Sequence, residues 1–386
     1  MTLRPIAIHL PQFHPVPEND DWWGKGFTEW RNVVQARPRF RGHYQPHIPA
    51  DMGFYDMRLP EVRQQQAHLA QEYGIYGFCY YHYWFNGRRI LERPVQEILE
   101  SGDPDFPFML CWANENWTRV WDGSDKSVLL GQEYSEDDHR AHAEALMPYF
   151  KDPRYIRINN KPVFAIYKDG DIPDPDRLCE IFREVAAEHG MNLYLCRFER
   201  RIGTRPEAPQ ELGFDAGIEF QPLSPSFKRF EQSQRRGLMA PVRTILTRLA
   251  RKFMTISRLS KIAPAGGYLP GLKDYQRFVD FDMQQPTPEH LCYPGVSPSW
   301  DNTSRRSDGL GTIFWGSTPA IFKKWVRAKV ANFKPPSQEE DLLFINAWNE
   351  WAEGNHLEPC KKYGHQYLEA LRDGVAGGLK DRSEDV

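Results

Sequence analysis

Apolar runs of strand length recur eight times along the chain, at 6–10, 75–81, 108–112, 162–167, 193–197, 215–220, 292–296 and 342–345, and helical spacing fills most of the intervals. Between the first two runs, Val62, Gln66, Leu69 and Tyr73 fall on one helical face, Pro60 suits the first turn, and Gly74 is placed to end it. Segments 91–99, 139–150, 175–189 and 319–332 read the same way. Strands alternating with helices predict an α/β fold around a parallel sheet, and eight repeats predict a (β/α)8 TIM barrel. The 386 residues suit a single barrel domain spanning the chain, with a basic, partly helical insertion at 223–285 between strands six and seven.

Barrels of this kind build their sites where the strands end. Here the strand exits are polar and aromatic. The first leads into His14 and a long loop carrying Trp30, the second into His82, Tyr83 and Trp84, and the third from Trp112 into Asn114, Glu115 and Trp117. The seventh leads to Trp300 and Asp301, and the last to Trp348, Asn349, Glu350, Trp351 and Glu353. Glu350 and Glu353 are three residues apart, a spacing that sets both carboxyls on one side if the segment turns helically. Two acids beside tryptophans suit general acid/base work on a sugar. A solvated Glu-x-x-Glu turn is the bland alternative. A barrel weakens it by aiming the pair at the same mouth as Glu115, His82 and Asp301. Asn114-Glu115 and Asn349-Glu350 repeat a pairing in which an amide can bond a sugar hydroxyl beside a carboxylate.

Composition narrows the class further. A net charge of −3 argues against general polyanion binding, nucleic acid included. Aromatic residues are 13% of the chain, enough to line a cleft that stacks on sugar rings as well as to fill a core. The six cysteines are scattered without a Cys-x-x-Cys pair and read as buried thiols of a reducing compartment. Met1 leads directly to the first strand with no apolar leader, and no run has membrane-spanning length, so a cytoplasmic location is expected. His9, His14, His43, His47, His82 and His356 are open to reading as sugar donors, metal ligands or surface residues. No metal-ligand spacing selects a site, and neither metal nor cofactor is expected. Asp-x-Asp triplets at 103/105, 169/171 and 174/176 lie in proline- or glycine-containing turns, where chance explains them; a fourth is at 280/282.

Between Pro222 and Leu291, Lys228, Arg229, Arg235, Arg236, Arg243, Arg248, Arg251, Lys252, Arg258 and Lys261 face the single acid Glu231 before Asp274. Val242, Ile245, Leu246, Leu249, Phe253 and Ile256 fall at helical spacing within it. A helix packed on the barrel with its basic side in water is the simpler reading. The alternative is contact with an anionic membrane surface, peripheral at its inner face, or with a lipid-linked glycan.

The run Asn346-Ala347-Trp348-Asn349-Glu350-Trp351-Ala352-Glu353-Gly354 through Leu357-Glu358-Pro359 closely resembles the active-site segment of glycoside hydrolase family 99, the endo-α-mannosidase family. The whole chain is similar to the WbsX-type proteins of polysaccharide and O-antigen gene clusters, often described as glycosyltransferases of lipopolysaccharide biosynthesis. Leu10-Pro11-Gln12-Phe13-His14, Trp23 through Trp30, Tyr80 through Trp84, Trp112 through Trp117, Lys161-Pro162-Val163 and Pro298 through Asn302 carry that wider likeness. The resemblance implies a (β/α)8 barrel and retaining cleavage of an α-linked bond in a bacterial polysaccharide or its precursor. It also implies roles: Glu350 as the base on the sugar 2-hydroxyl, which attacks its own anomeric carbon, and Glu353 as the acid on the leaving oxygen. A glycosyltransferase of O-antigen, lipopolysaccharide or capsule biosynthesis using a nucleotide- or lipid-linked donor, and a barrel that binds glycan without catalysis, are the competing expectations. The sugar, the linkage and the oligomeric state are not legible.

Overall fold

The computed structural model describes residues 3–118, 128–235, 271–306 and 311–384. Nine strands of these residues form one parallel sheet: β1 (Arg4–His9), β2 (Gly77–Phe85), β3 (Phe108–Trp112), β4 (Lys161–Ile166), β5 (Tyr194–Glu199), β6 (Ala216–Glu219), β7 (Cys292–Tyr293), β8 (Gly295–Val296) and β9 (Leu342–Ile345). Their order is β7-β6-β5-β4-β3-β2-β1-β9-β8. Both ends of the sheet therefore belong to the single run 292–296, interrupted at Pro294. Gly217 pairs with Cys292 on one side and Gly295 with Phe344 on the other. The seventh strand position joins the sixth to the eighth, and the architecture is the expected (β/α)8 barrel.

Proline has no N–H to give the ladder. The Pro294 carbonyl still accepts from Phe344 N at 2.9 Å. Gly295 is required by close approach, since a Cβ there would lie 2.1 Å from the carbonyl oxygen of Glu219.

Helices follow the strands with local signals in place. They are α1 (Pro17–Trp23), α2 (Glu29–Gln35), α3 (Pro60–Glu72), α4 (Arg93–Ser101), α5 (Glu136–Lys151), α6 (Pro175–Glu188), α7 (Pro225–Arg235), α8 (Tyr275–Asp282), α9 (Pro319–Asn332) and α10 (Gln366–Glu384). Ser135, Asp174 and Thr318 cap α5, α6 and α9 by accepting from the third backbone N–H beyond them. The helix α10, which the spacing of apolar residues had not marked, packs closely on α9: a Cβ on Gly378 would meet the Arg327 carbonyl at 2.6 Å.

Inside the barrel, Phe198 meets Phe220 and Phe344 at ring separations of 5.6 and 6.3 Å. The helices α7 and α8 form the two ends of the basic insertion and pack through Phe227 and Phe278. The amphipathic stretch Val242 to Ile256 lies outside the described residues. All six cysteines are free and buried. No helix of the described residues is long and apolar enough to cross a membrane.

Candidate active site

The chain leaves β9 across a cis peptide between Asn346 and Ala347, and Trp348 N then donates to the Ile8 carbonyl at 2.7 Å. Asn349–Glu350 pairs with Asn355–His356 in a small hairpin whose tip is a 3-10 turn, Trp351–Glu353. Gly354 reverses the chain at φ 56°, in the left-handed region. Neighbouring residues of a strand point to opposite sides. Asn349 turns inward, where its amide accepts from Leu10 N at 2.7 Å and donates to the Leu10 carbonyl at 3.0 Å. Glu350 turns outward to the barrel mouth. A 3-10 turn stacks positions three apart, so Glu353 follows it to the same side. The expected juxtaposition is present, with a tighter turn than an α-helix.

Arg305, from the segment after Asp301, reaches this pair. Its Nη2 lies 2.9 Å from Glu350 Oε2 and its Nη1 lies 2.7 Å from Glu353 Oε1. Glu29, fully buried at the start of α2, contacts the same guanidinium at 3.2 Å. Three carboxylates thus share one guanidinium. Burial raises the Glu350 carboxyl to about 8; Glu353 and Glu29 add to the rise, and Arg305 opposes it. Burial likewise raises Glu353, with Arg305 opposing and Glu29 adding. Both shifts favour the protonated carboxyl over the ionised one, the direction that general acid catalysis needs.

The pair opens into a cleft of about 290 Å³ walled by Tyr81, Tyr83, Glu115, Trp117, Tyr167, Arg200 and Trp300. The Arg200 guanidinium lies 3.8 Å from the centroid of the Tyr167 ring and 3.2 Å from Glu115 Oε1. Lys168 Nζ stands 3.7 Å from the same carboxylate. Trp117 meets Tyr83 edge-on at 5.5 Å. The mixture of aromatic faces with a few charged groups suits a saccharide ring.

Of the residues singled out from the sequence, Glu350, Glu353, Tyr83, Glu115, Trp117 and Trp300 line this cleft. His82, Trp84 and Trp112 are set apart from it. Tyr81 and Tyr83 face inward, and His82 and Trp84, alternating with them, face outward. His82 bonds His142 of α5 at 3.0 Å, and Trp84 stacks on His142 and donates to Asp138. Trp112 is in register with His82 and packs on the same histidine.

Another group supports the site from beneath. Asn114 fixes the backbone of Lys168, donating to its carbonyl at 2.8 Å. Trp30 donates to the Tyr55 carbonyl, and His14 bonds the Pro11 carbonyl at 3.0 Å. Trp348 packs on Phe78, and Trp351 stacks on His356 at 3.7 Å. Trp351, Tyr55 and Gln66 all donate to the buried Glu358, whose carboxyl burial pushes up to about 7. Asp301 faces away from the cleft and accepts from His43, Gln45 and Thr303.

Arg305, Glu29, Arg200 and Tyr81 belong to the site and were not among the expected residues. Period-two alternation with Tyr83 could have found Tyr81. Nothing local marks Arg305, which meets its carboxylates only through the tertiary fold. Glu199, His290 and Cys292 bring donor atoms within 4.8 Å of one another outside the cleft. Glu199 there already accepts from His290 at 2.8 Å and from Arg197 at 3.3 Å.

Fold and site together define a parallel (β/α)8 barrel with a buried carboxylate pair at its last strand exit. Solved structures share the fold: a GH99 endo-alpha-mannosidase from Bacteroides thetaiotaomicron superposes with a TM-score of 0.56 at 13% identity, covering 98% of each chain. A protein described as glycoside hydrolase-like gives 0.55 at 13% identity, covering 97% of this chain and 94% of its own. The Glycosyltransferase WbsX family model matches residues 5–371, and the chain belongs to that family. WxcX of Xanthomonas campestris pv. campestris, strain ATCC 33913, is 39% identical over 378 residues, covering 96% of this chain. WxcX of strain B100 matches to the same extent. The chain spans about half the length of these relatives, 49% in each case.

Proposed function

We propose that the protein acts on an α-linked glycosidic bond of a bacterial polysaccharide or its precursor, with Glu350 and Glu353 as the acid/base pair and no metal or other cofactor in the reaction. The observation that carries this reading is the seating of both carboxylates on one guanidinium at the floor of an aromatic cleft. The retaining chemistry implied by the family resemblance needs one group to take the proton of the sugar 2-hydroxyl and one to give a proton to the leaving oxygen. This departs from the common scheme in which a carboxylate attacks the anomeric carbon.

The electrostatics bear on which acid does which. Glu350, assigned as base by its place in the motif, is held at about 8 in the resting site. A base must lose that proton before it acts, so turnover should rise with pH toward about 8 if Glu350 is the base. If the roles are exchanged, turnover should fall as pH passes about 8. The experiment is incubation with α-linked bacterial polysaccharides, analysis of product mass and anomeric configuration, then a pH profile on whatever substrate turns over. No product across the panel, with and without an added sugar acceptor, would sink the reading.

A second reading is transfer, not hydrolysis. The family's description as glycosyltransferases favours it. The same carboxylate pair serves either outcome, because a sugar hydroxyl can replace water as the group that Glu353, now ionised, activates. Saccharide product that forms only when an acceptor sugar is present would identify it.

A further inference from the structure

The charges that line the cleft do not pair off completely. Three arginines and three glutamates face it: Arg200, Arg305 and Arg306 against Glu115, Glu350 and Glu353. Arg305 is taken up by Glu350 and Glu353, and Arg200 by Glu115, which also has Lys168 at 3.7 Å. Arg306 is left over. It is half-buried, and none of its side-chain nitrogens bonds an acceptor among the described residues or is sealed from solvent. Arg200 directs Nη1 to Glu115 at 3.2 Å, while its Nη2 also has no acceptor among the described residues.

A second guanidinium stands beside Arg306. Arg39 Nη2 donates to the Arg306 carbonyl at 2.9 Å and to the Thr303 carbonyl at 3.3 Å, and no carboxylate of the described residues pairs with it. Arg306 N in turn donates to the Thr303 carbonyl at 3.2 Å, closing the 3-10 turn Asn302–Arg305. The backbone that carries the unpaired side chain is thus fixed before any ligand arrives, which lowers the ordering cost of binding. Uncompensated positive charge in a cleft with low-dielectric walls is focused there and draws anions. A guanidinium fork matches two oxygens of a carboxylate or a phosphate.

We infer that the cleft takes an anionic saccharide, whose carboxylate or phosphate group is held by Arg306, at the side where Arg39 lies, with the sugar ring on the aromatic wall. The inference rests on the reading of the cleft as a glycan site and not on the acid/base roles of Glu350 and Glu353. A carboxylate would mark a uronic acid within the glycan, and a phosphate would mark a glycosyl phosphate.

The test is a saturation-transfer NMR titration of the full chain with methyl α-D-glucopyranosiduronate, α-D-glucopyranosyl phosphate and the neutral methyl α-D-glucopyranoside. At least one anionic probe should bind about tenfold or more tightly than the neutral one, as hydrogen bonds to a charged group provide, and the tighter of the two identifies the source of the charge. Arg306→Gln should remove this preference and leave the neutral probe within about twofold of wild type, and Arg306→Lys should keep part of it. Arg277→Gln removes the same charge from an exposed position on α8 and should leave the preference intact. Silence from both anionic probes overturns the inference, as do equal affinities for anionic and neutral probes or a preference that survives Arg306→Gln. A preference lost equally in Arg277→Gln reduces it to overall charge and overturns the inference too. Anion binding with no turnover of any polysaccharide would count against the catalytic reading alone, and turnover of a neutral glycan without anion preference against this inference alone.

Discussion

Arg305 and Glu350 meet at 2.9 Å in a setting where the arginine is already committed to two further carboxylates, Glu353 and Glu29. One positive charge among three acids fixes their geometry without neutralising them. Both catalytic candidates are thereby held in place yet kept protonatable.

Glu350→Gln and Glu353→Gln preserve size and hydrogen bonding while removing the titrating group. Each should lower turnover by about 10²–10⁴-fold, the usual contribution of a positioned acid or base, with melting temperature near or above wild type. Rates from single-turnover assays check this; activity within tenfold of wild type in either variant would remove that residue from the chemistry.

Arg305→Ala strands three carboxylates around an absent cation. Breaking a buried ion pair from one side costs about 3–5 kcal/mol, so chemical denaturation should show a loss of that order. Arg305→Lys keeps the charge but not the fork that reaches two acids at once, and should recover part of the stability. Equal losses in the two variants would mean that geometry, not charge, dominates.

The raised Glu350 carboxyl makes stability depend on pH in a definite direction. Its folded value of about 8 exceeds the ordinary 4.5, so the folded state holds the proton more tightly than the unfolded chain. The stabilisation is fully present below about 4.5 and is lost as pH rises through about 8. Glu350→Gln should therefore gain on wild type in melting temperature between pH 5 and pH 9. Glu358 is present in both proteins and cancels from the difference. A difference that stays flat with pH would refute the shift.

Gly354 ends the turn that carries Glu353. At φ 56° a side chain is strained, and a Cβ there would approach the Asp301 Cβ at 3.1 Å. Gly354→Ala should cost about 1–2 kcal/mol and lower turnover by displacing Glu353. Unchanged stability and rate would show that the turn relaxes freely.

Much of the barrel was legible because its strands are uniform apolar runs: 108–112 and 342–345 match β3 and β9 at both ends. α10 was less so, because its face against α9 is built partly from Gly374 and Gly378, which carry no hydrophobic signal. At the site, spacing alone put Glu350 and Glu353 together. The same exit residues also suggested His82, Trp84 and Trp112, because a motif of aromatics does not say which side of the sheet each faces. Alternation from Tyr83 settles that only once the strand register is fixed. Arg305 and Glu29 join the cluster from segments 276 residues apart, a meeting that no local pattern encodes.

Pro294 has a consequence for the fidelity of assembly. Because the run 292–296 hands its hydrogen bonding from β6 to β9 within five residues, it acts as the keystone of the ring. An inserted residue beside Pro294 could not be absorbed as a slip along one neighbour, since each half is clamped to a different strand. The strand that delivers Glu350 to the mouth is thus clamped between four pairs to β1 on one side and the two residues of β8 on the other.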